Sequence, residues 1–127
     1  MLYSVPEMKS IDCVPHVEEY RAWRAALDRI NPQAFQHIHD ELDGRFSQKE
    51  VDTSSWIPGS DWTDTVWEPI YHACGDDPVS AGLFFGLLVW QVVIDRREDC
   101  WSFGRYEKAG IPIRGMTYFR IDCPGNQ

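Results

Sequence analysis

The segment "PVSAGLFFGLLVWQVVID", residues 78–95, constrains this chain more than any other. From Val79 to Ile94 apolar residues fall on nearly every side of a helix, so the rest of the chain must wrap around it or a membrane must. The run of 16 falls short of the ~20 residues a span requires, and it carries Ser80 and Gln91. A buried central helix is therefore expected. Asp77-Pro78 supplies its start, a capping side chain followed by proline at the first helical position. Gly82 and Gly86, one turn apart, would let a neighbouring element approach closely.

The flanking segments offer the cover. After Pro15, the residues Tyr20, Trp23, Leu27 and Ile30 recur at the spacing of one buried helix face. Asn31-Pro32 ends that helix and opens a second, with Phe35, Ile38 and Leu42 as its apolar stripe and Gly44 as its stop. Together they predict a helical hairpin. Thr65-Val66-Trp67-Glu68 has the form of a capping box, which predicts a third helix running to about Gly75. Residues 45–63 are a polar connection of unusual length.

Beyond Asp99, "CWSFGRYEKAGIPIRGMTYFRID" reads as two strands turning near Lys108-Ala109-Gly110. On the first strand Trp101 and Phe103 are expected to face the core. On the second, Ile111, Ile113, Thr117, Phe119 and Ile121 alternate with Arg114, Met116, Tyr118 and Arg120, the latter set expected outside. A short strand is also expected around Ser10–Val14. The fold class is α+β: a helical hairpin plus two further helices, the last one central and buried, with a C-terminal antiparallel β-hairpin. At 127 residues this makes one globular domain.

The N-terminus lacks the basic start and apolar run of a secretory signal, which predicts a cytoplasmic protein. Cys13, Cys74, Cys100 and Cys123 are then expected as reduced thiols, and their spacing shows no CxxC pair.

The motifs for catalysis or cofactor binding are weak. His37 and His39 stand two apart on a helix and point ~200° away from each other, so they cannot chelate one ion. His72 and Cys74 fail likewise, and Cys74 falls on the apolar side of its helix. No metal, cofactor or catalytic residue is expected. Lys108, Arg114, Arg120, Tyr106 and Tyr118 would mix bases and aromatics on one strand face, but the strongly acidic chain opposes binding of nucleic acid.

The net charge of -8 is localised. Residues 40–77 hold ten acids against Arg45 and Lys49, a balance equal to that of the whole protein. Inside that third, "SSWIPGSDWTDTVWEPIY" (54–71) sets Trp56, Trp62, Trp67 and Tyr71 among Asp61, Asp64 and Glu68. Trp67 and Tyr71 share the apolar side of the third helix with Ile70 and Cys74, whereas Trp56 and Trp62 have no periodic reason to be buried.

Clustered acids steer basic partners and aromatics anchor interfaces. The leading expectation is a non-enzymatic binding protein, most concretely a toxin-neutralising immunity or inhibitor protein. Its binding residues would be Trp56, Asp61, Trp62, Asp64, Glu68 and His72, and its partner a basic protein. The alternative is a small enzyme or ligand-binding domain using Asp64, Glu68 and His72, spaced i, i+4, i+8, in an aromatic-walled pocket. No membrane partner is expected, and the chain would be a monomer or a weak homodimer in which the acidic middle of one copy meets the basic strand face of another.

Overall fold

The computed structural model of the chain describes residues 1–4, 7–48, 62–104 and 116–123 in full, and the backbone of 51–53, 107–108 and 111–112. In chain order the elements are β1 (Leu2–Ser4), β2 (Lys9–Ile11), α1 (Val17–Ile30), α2 (Ala34–Phe46), β3 (Val51–Thr53), α3 (Glu68–Ala73), α4 (Pro78–Asp95), β4 (Cys100–Gly104), β5 (Glu107–Lys108), β6 (Ile111–Pro112) and β7 (Thr117–Ile121). The architecture is α+β, with helices packed on a five-stranded sheet of order β2-β1-β4-β7-β3 and a separate β5-β6 pair.

α4 is the centre. Asp77 caps it as expected, its carboxylate accepting from the Val79 and Ser80 amides at 3.4 Å each. By length and composition α4 could cross a membrane. Here other elements take up its apolar sectors: Phe84 meets Tyr20 and Trp23 of α1, Phe85 meets Trp67, and Trp90 meets Phe103 and Tyr118 of the sheet. Each such fully buried side chain stabilises the fold by roughly 1.5–3 kcal/mol relative to exposure.

The helical hairpin is present, with two differences from expectation. Tyr20 and Leu27 of α1 are buried, but Ile30 is 49% exposed because α1 ends there, with the Asn31 amide donating to Leu27 O. α2 passes through Gly44 and stops after Phe46, whose fully buried ring packs edge-on against Trp101 and Tyr118. The burial of Phe46 outweighs the glycine as a determinant of where α2 ends. Pro32 precedes α2 instead of opening it, since the helix begins at Ala34. Likewise Gly82 and Gly86 receive no close neighbour among the described residues: none lies within 4 Å of a β-carbon placed on either.

The C-terminal strands pair as β4 with β7, antiparallel. The expected faces of β7 are reversed. Phe103 opposes Tyr118 and Trp101 opposes Arg120, and residues directly opposite share a face. Tyr118 is therefore core, 1% exposed, and burial pushes its hydroxyl pKa up. The alternation in the sequence was right in period but silent on sign, because β7 carries apolar residues on both sides. Arg114, Tyr106 and the side chain of Lys108 fall outside the described residues. β1 and β3 arise in segments expected to lack strands, and β2 covers Lys9–Ile11, overlapping the start of the expected strand. β3 pairs antiparallel with β7 from within the long polar connection.

Cys100 and Cys123 form a disulfide with Cα atoms 5.2 Å apart, contrary to the expected reduced thiols. Strand register brings them together: Cys100 pairs with Ile121, two residues before Cys123. Cys13 and Cys74 are free, and burial raises the Cys74 thiol to about 11.

Arg96 closes α4 and is 4% exposed. Its Nε and Nη2 donate to the two oxygens of Asp99, each at 2.9 Å, and its Nη1 donates to Asp43 Oδ1 at 2.7 Å and to Asp43 O at 2.9 Å. Trp101 Nε1 adds a bond to Asp99 Oδ1 at 2.8 Å, and Arg120 Nη2 one to Oδ2 at 3.3 Å. Burial works to raise the Asp99 carboxyl, but hydrogen bonds from Arg96 and Trp101 and the positive charges of Arg96 and Arg120 outweigh it and leave the pKa lowered. Such a network costs little while complete, and breaking it strands a buried charge.

Arg96→Ala should lower stability in urea titrations by about 3 kcal/mol at neutral pH. Because the Asp99 value is depressed on folding, its contribution is present above the unfolded carboxylate range and is lost as pH falls through the folded value. The gap between Arg96→Ala and the parent chain should therefore narrow in strong acid.

Candidate functional site

The expected binding residues lie on the turn leading into α3 and on α3 itself. Trp56 and Asp61 fall outside the described residues. Of the remainder, the structure joins Glu68 and His72 side by side, one helical turn apart, and sets Asp64 off from them.

Asp64 does not extend a row of carboxylates along the helix. It precedes α3, with a left-handed backbone at φ 60°. Its amide, instead of its carboxylate, is the contact, donating to Glu68 Oε2 at 3.2 Å. The capping logic of Thr65 and Glu68 is present but shifted. Thr65 Oγ1 accepts from the Trp67 amide at 3.2 Å and donates to Trp62 O at 2.7 Å, while Glu68 reaches back to residue 64. The outcome is a tight turn followed by a helix of six residues that starts at Glu68, two residues later than a capping box at Thr65 predicts.

His72 stands between two carboxylates. Its Nδ1 lies 2.7 Å from Asp76 Oδ1, and its Nε2 lies 3.7 Å from Glu68 Oε1. Asp76 was not among the expected residues. It reaches His72 because α3 ends in a reversal with left-handed Gly75 (φ 68°) and Asp76 (φ 60°), closed by Asp76 N–H to Tyr71 O at 3.0 Å and Gly75 N–H to His72 O at 3.1 Å. The sequence signal was available in Cys74-Gly75-Asp76-Asp77, where a glycine stop places the next residue back over the last turn.

The hydrogen bond to Asp76 holds the His72 imidazole above its ordinary 6.5, with Glu68 adding in the same direction. The side chains of Glu68, His72 and Asp76 are 37%, 49% and 61% exposed, so the three line an open, water-facing surface. The imidazole thus sits between two carboxylates in water, with the Tyr71 ring as a described aromatic neighbour.

The aromatic residues divide differently from expectation. Trp67 is buried, perpendicular to Phe85 at 5.3 Å between ring centres. Trp62 is half-buried and also rests on Phe85, at 5.8 Å. A second core contact thus uses a tryptophan for which periodicity offered no reason. Tyr71 is half-buried, its ring edge-on to His72 at 6.0 Å.

His39 is half-buried beside Phe35 and bonded to Asp95 at 3.0 Å, and His37 is exposed, so the two face different surroundings, in keeping with their two-residue spacing on α2. Among the described residues no group of three or more histidine, cysteine or acidic side chains is arranged to hold a metal ion. The chain matches none of the protein-family models, curated proteins or solved structures with which it was compared.

The His72 ring proton signal should titrate with a midpoint above 6.5, and Asp76→Asn should bring that midpoint down, as read by proton NMR. Because the folded value is raised, the pair stabilises the C-terminal turn of α3 fully below 6.5 and loses that stabilisation as pH rises through the folded value. An unchanged midpoint in Asp76→Asn would contradict this assignment.

Proposed function

We propose that the protein is a non-enzymatic binding protein that docks a basic protein partner on the acidic surface of its middle third, most concretely as a toxin-neutralising immunity or inhibitor protein. One observation carries this reading. Asp43 alone among the fully described acids of residues 40–77 is matched to an arginine, Arg96. Among the described residues no lysine or arginine pairs with Asp64, Glu68, Asp76 or Asp77, and all but the half-buried Glu68 are exposed. Carboxylates that lack a lysine or arginine partner repel each other where they cluster, and that repulsion is offset when a cationic surface arrives. Trp62 at their border supplies an apolar contact of the kind that concentrates binding energy.

The experiment is recovery of the native partner from the source cell's extract at low salt, followed by affinity measurement with purified components. Submicromolar binding that weakens about tenfold or more on raising salt well above physiological strength is expected, since the screening length of exposed charges falls from about 8 Å at physiological strength to about 3 Å at 1 M. Charge reversal of Asp61, Asp64 and Glu68 together should weaken binding by a similar factor. Affinity indifferent to that triple reversal would sink the proposal.

Cytoplasmic residence belongs to the same reading, and the Cys100–Cys123 bond bears on it, because such bonds persist mainly in oxidising compartments. Trapping thiols in denaturant directly from cells and weighing the protein decides the matter. Four alkylated cysteines support a cytoplasmic protein; two alkylated cysteines with the Cys100–Cys123 bond intact overturn that placement.

A further inference from the structure

One side of α4 has two different fates along its length. Towards the C-terminus Val89, Trp90 and Val93 are buried, with Trp90 packed on Phe103 at 4.6 Å. Seven residues earlier, two helical turns along the same side, stand Gly82, Leu83 and Gly86, and one turn before Leu83 stands Val79. Among the described residues the cover ends there. Val79 is 71% and Leu83 57% exposed, the two most exposed large apolar side chains among the described residues. Among the described residues nothing stands within 4 Å of a β-carbon built on Gly82 or Gly86. The side of α4 that the sheet buries at one end is thus open at the other.

Beside Leu83 the surface dips into a groove of about 140 Å³ between α1 and α4, lined by His16, Glu19, Trp23, Leu83 and Leu87. It is too small for a typical small-molecule site, which begins near ~300 Å³, and suits one long side chain. Trp23, Leu83 and Leu87 give it apolar walls. Glu19, from the first turn of α1, gives it a carboxylate. Apolar walls beside an acid fit a lysine or arginine, whose methylene stem packs while its charged head reaches the carboxylate.

Charge also discriminates among occupants of the open face. Asp76 and Asp77 precede Val79, and Glu18 and Glu19 open α1. A second copy of this chain, net charge -8, would bring acids of the same kind to the contact, a juxtaposition that costs affinity. A basic segment meets no such opposition. The two glycines leave room for a helix backbone to come close to α4, with aliphatic residues of the incoming helix against Val79 and Leu83.

We propose that this face docks a basic amphipathic helix of a partner protein, its apolar side on Val79, Gly82, Leu83 and Gly86 and one lysine or arginine in the groove at Glu19. The inference rests on the reading of the protein as a binder of basic partners and moves the apolar anchor from Trp62 to α4.

The test uses the full chain and two synthetic probes of equal charge, a helical leucine/lysine peptide and an oligolysine, followed by NMR titration. The leucine/lysine peptide should shift the Leu83 methyl, Trp23 indole and Gly82 and Gly86 amide signals and bind about tenfold more tightly than oligolysine. Leu83→Lys, at an exposed position where the fold should tolerate it, should erase that advantage without changing the thermal midpoint, and Glu19→Gln should weaken binding without erasing it. If both probes shift only Asp64, Glu68 and Asp76, the α4 site is overturned while the acidic docking surface stands. If neither probe binds, both readings fail. Concentration-dependent broadening of Leu83 and Gly82 without any probe would identify a second copy as the occupant and overturn the basic helix, as would a Leu83→Lys chain that binds the two probes as the parent does.

Discussion

A helix without a polar side has to be enclosed, and in this protein α4 imposes that condition on everything else. Its sectors are shared out by aromatic contacts: Tyr20 and Trp23 against Phe84, Trp62 and Trp67 against Phe85, Phe103 and Tyr118 against Trp90. Four of the six tryptophans of the chain are spent in this way. Large flat side chains bury much area for little loss of conformational freedom, which suits a domain of 127 residues enclosing so apolar a segment. Among the described residues the enclosure is tighter at the C-terminal end of α4, where Val89, Val92 and Val93 are buried, than at its N-terminal end, where Val79 and Leu83 are exposed.

Arg96 fastens the closed end. A guanidinium at 4% exposure holds a place in the core only because nearly all its donors are used, and those donors draw together α2 through Asp43, the loop through Asp99 and the sheet through the Trp101 and Arg120 bonds to the same carboxylate. The fold thereby takes one acid of the middle third for structure and leaves others facing water. Charge that a packing argument would treat as uniform is divided into a part matched to a buried arginine and an exposed part. The second part includes Glu68 and Asp76, which flank His72 instead of a described lysine or arginine.

Much of this was legible in the chain. Period 3.6 in residues 17–30 and 34–46 identified the hairpin, Asp77-Pro78 located the start of α4 to the residue, and the core face of β4 was read correctly from Trp101 and Phe103. Local signals of this kind depend on neighbours within a turn or two, and sequence displays those directly. The candidate site was legible only in part. The Glu68–His72 pair follows from helical spacing, whereas spacing leaves open whether Asp64 joins the row or precedes the helix, and the left-handed turn decides that it precedes it. Asp76 was missed because a helix reversal brought it back over the last turn.

The sequence by itself determined that one long apolar helix would be central, that helices would flank it, and that net charge would gather between residues 40 and 77. Tertiary structure alone decided which side of β7 faces inward, that Cys100 would meet Cys123, that Trp62 would rest on the core, and that Val79 and Leu83 would be left in water. The physical reason is common to all four. Periodicity states which residues share a face, while the partner that covers a face comes from a distant part of the chain, and its reach is set by register and element length.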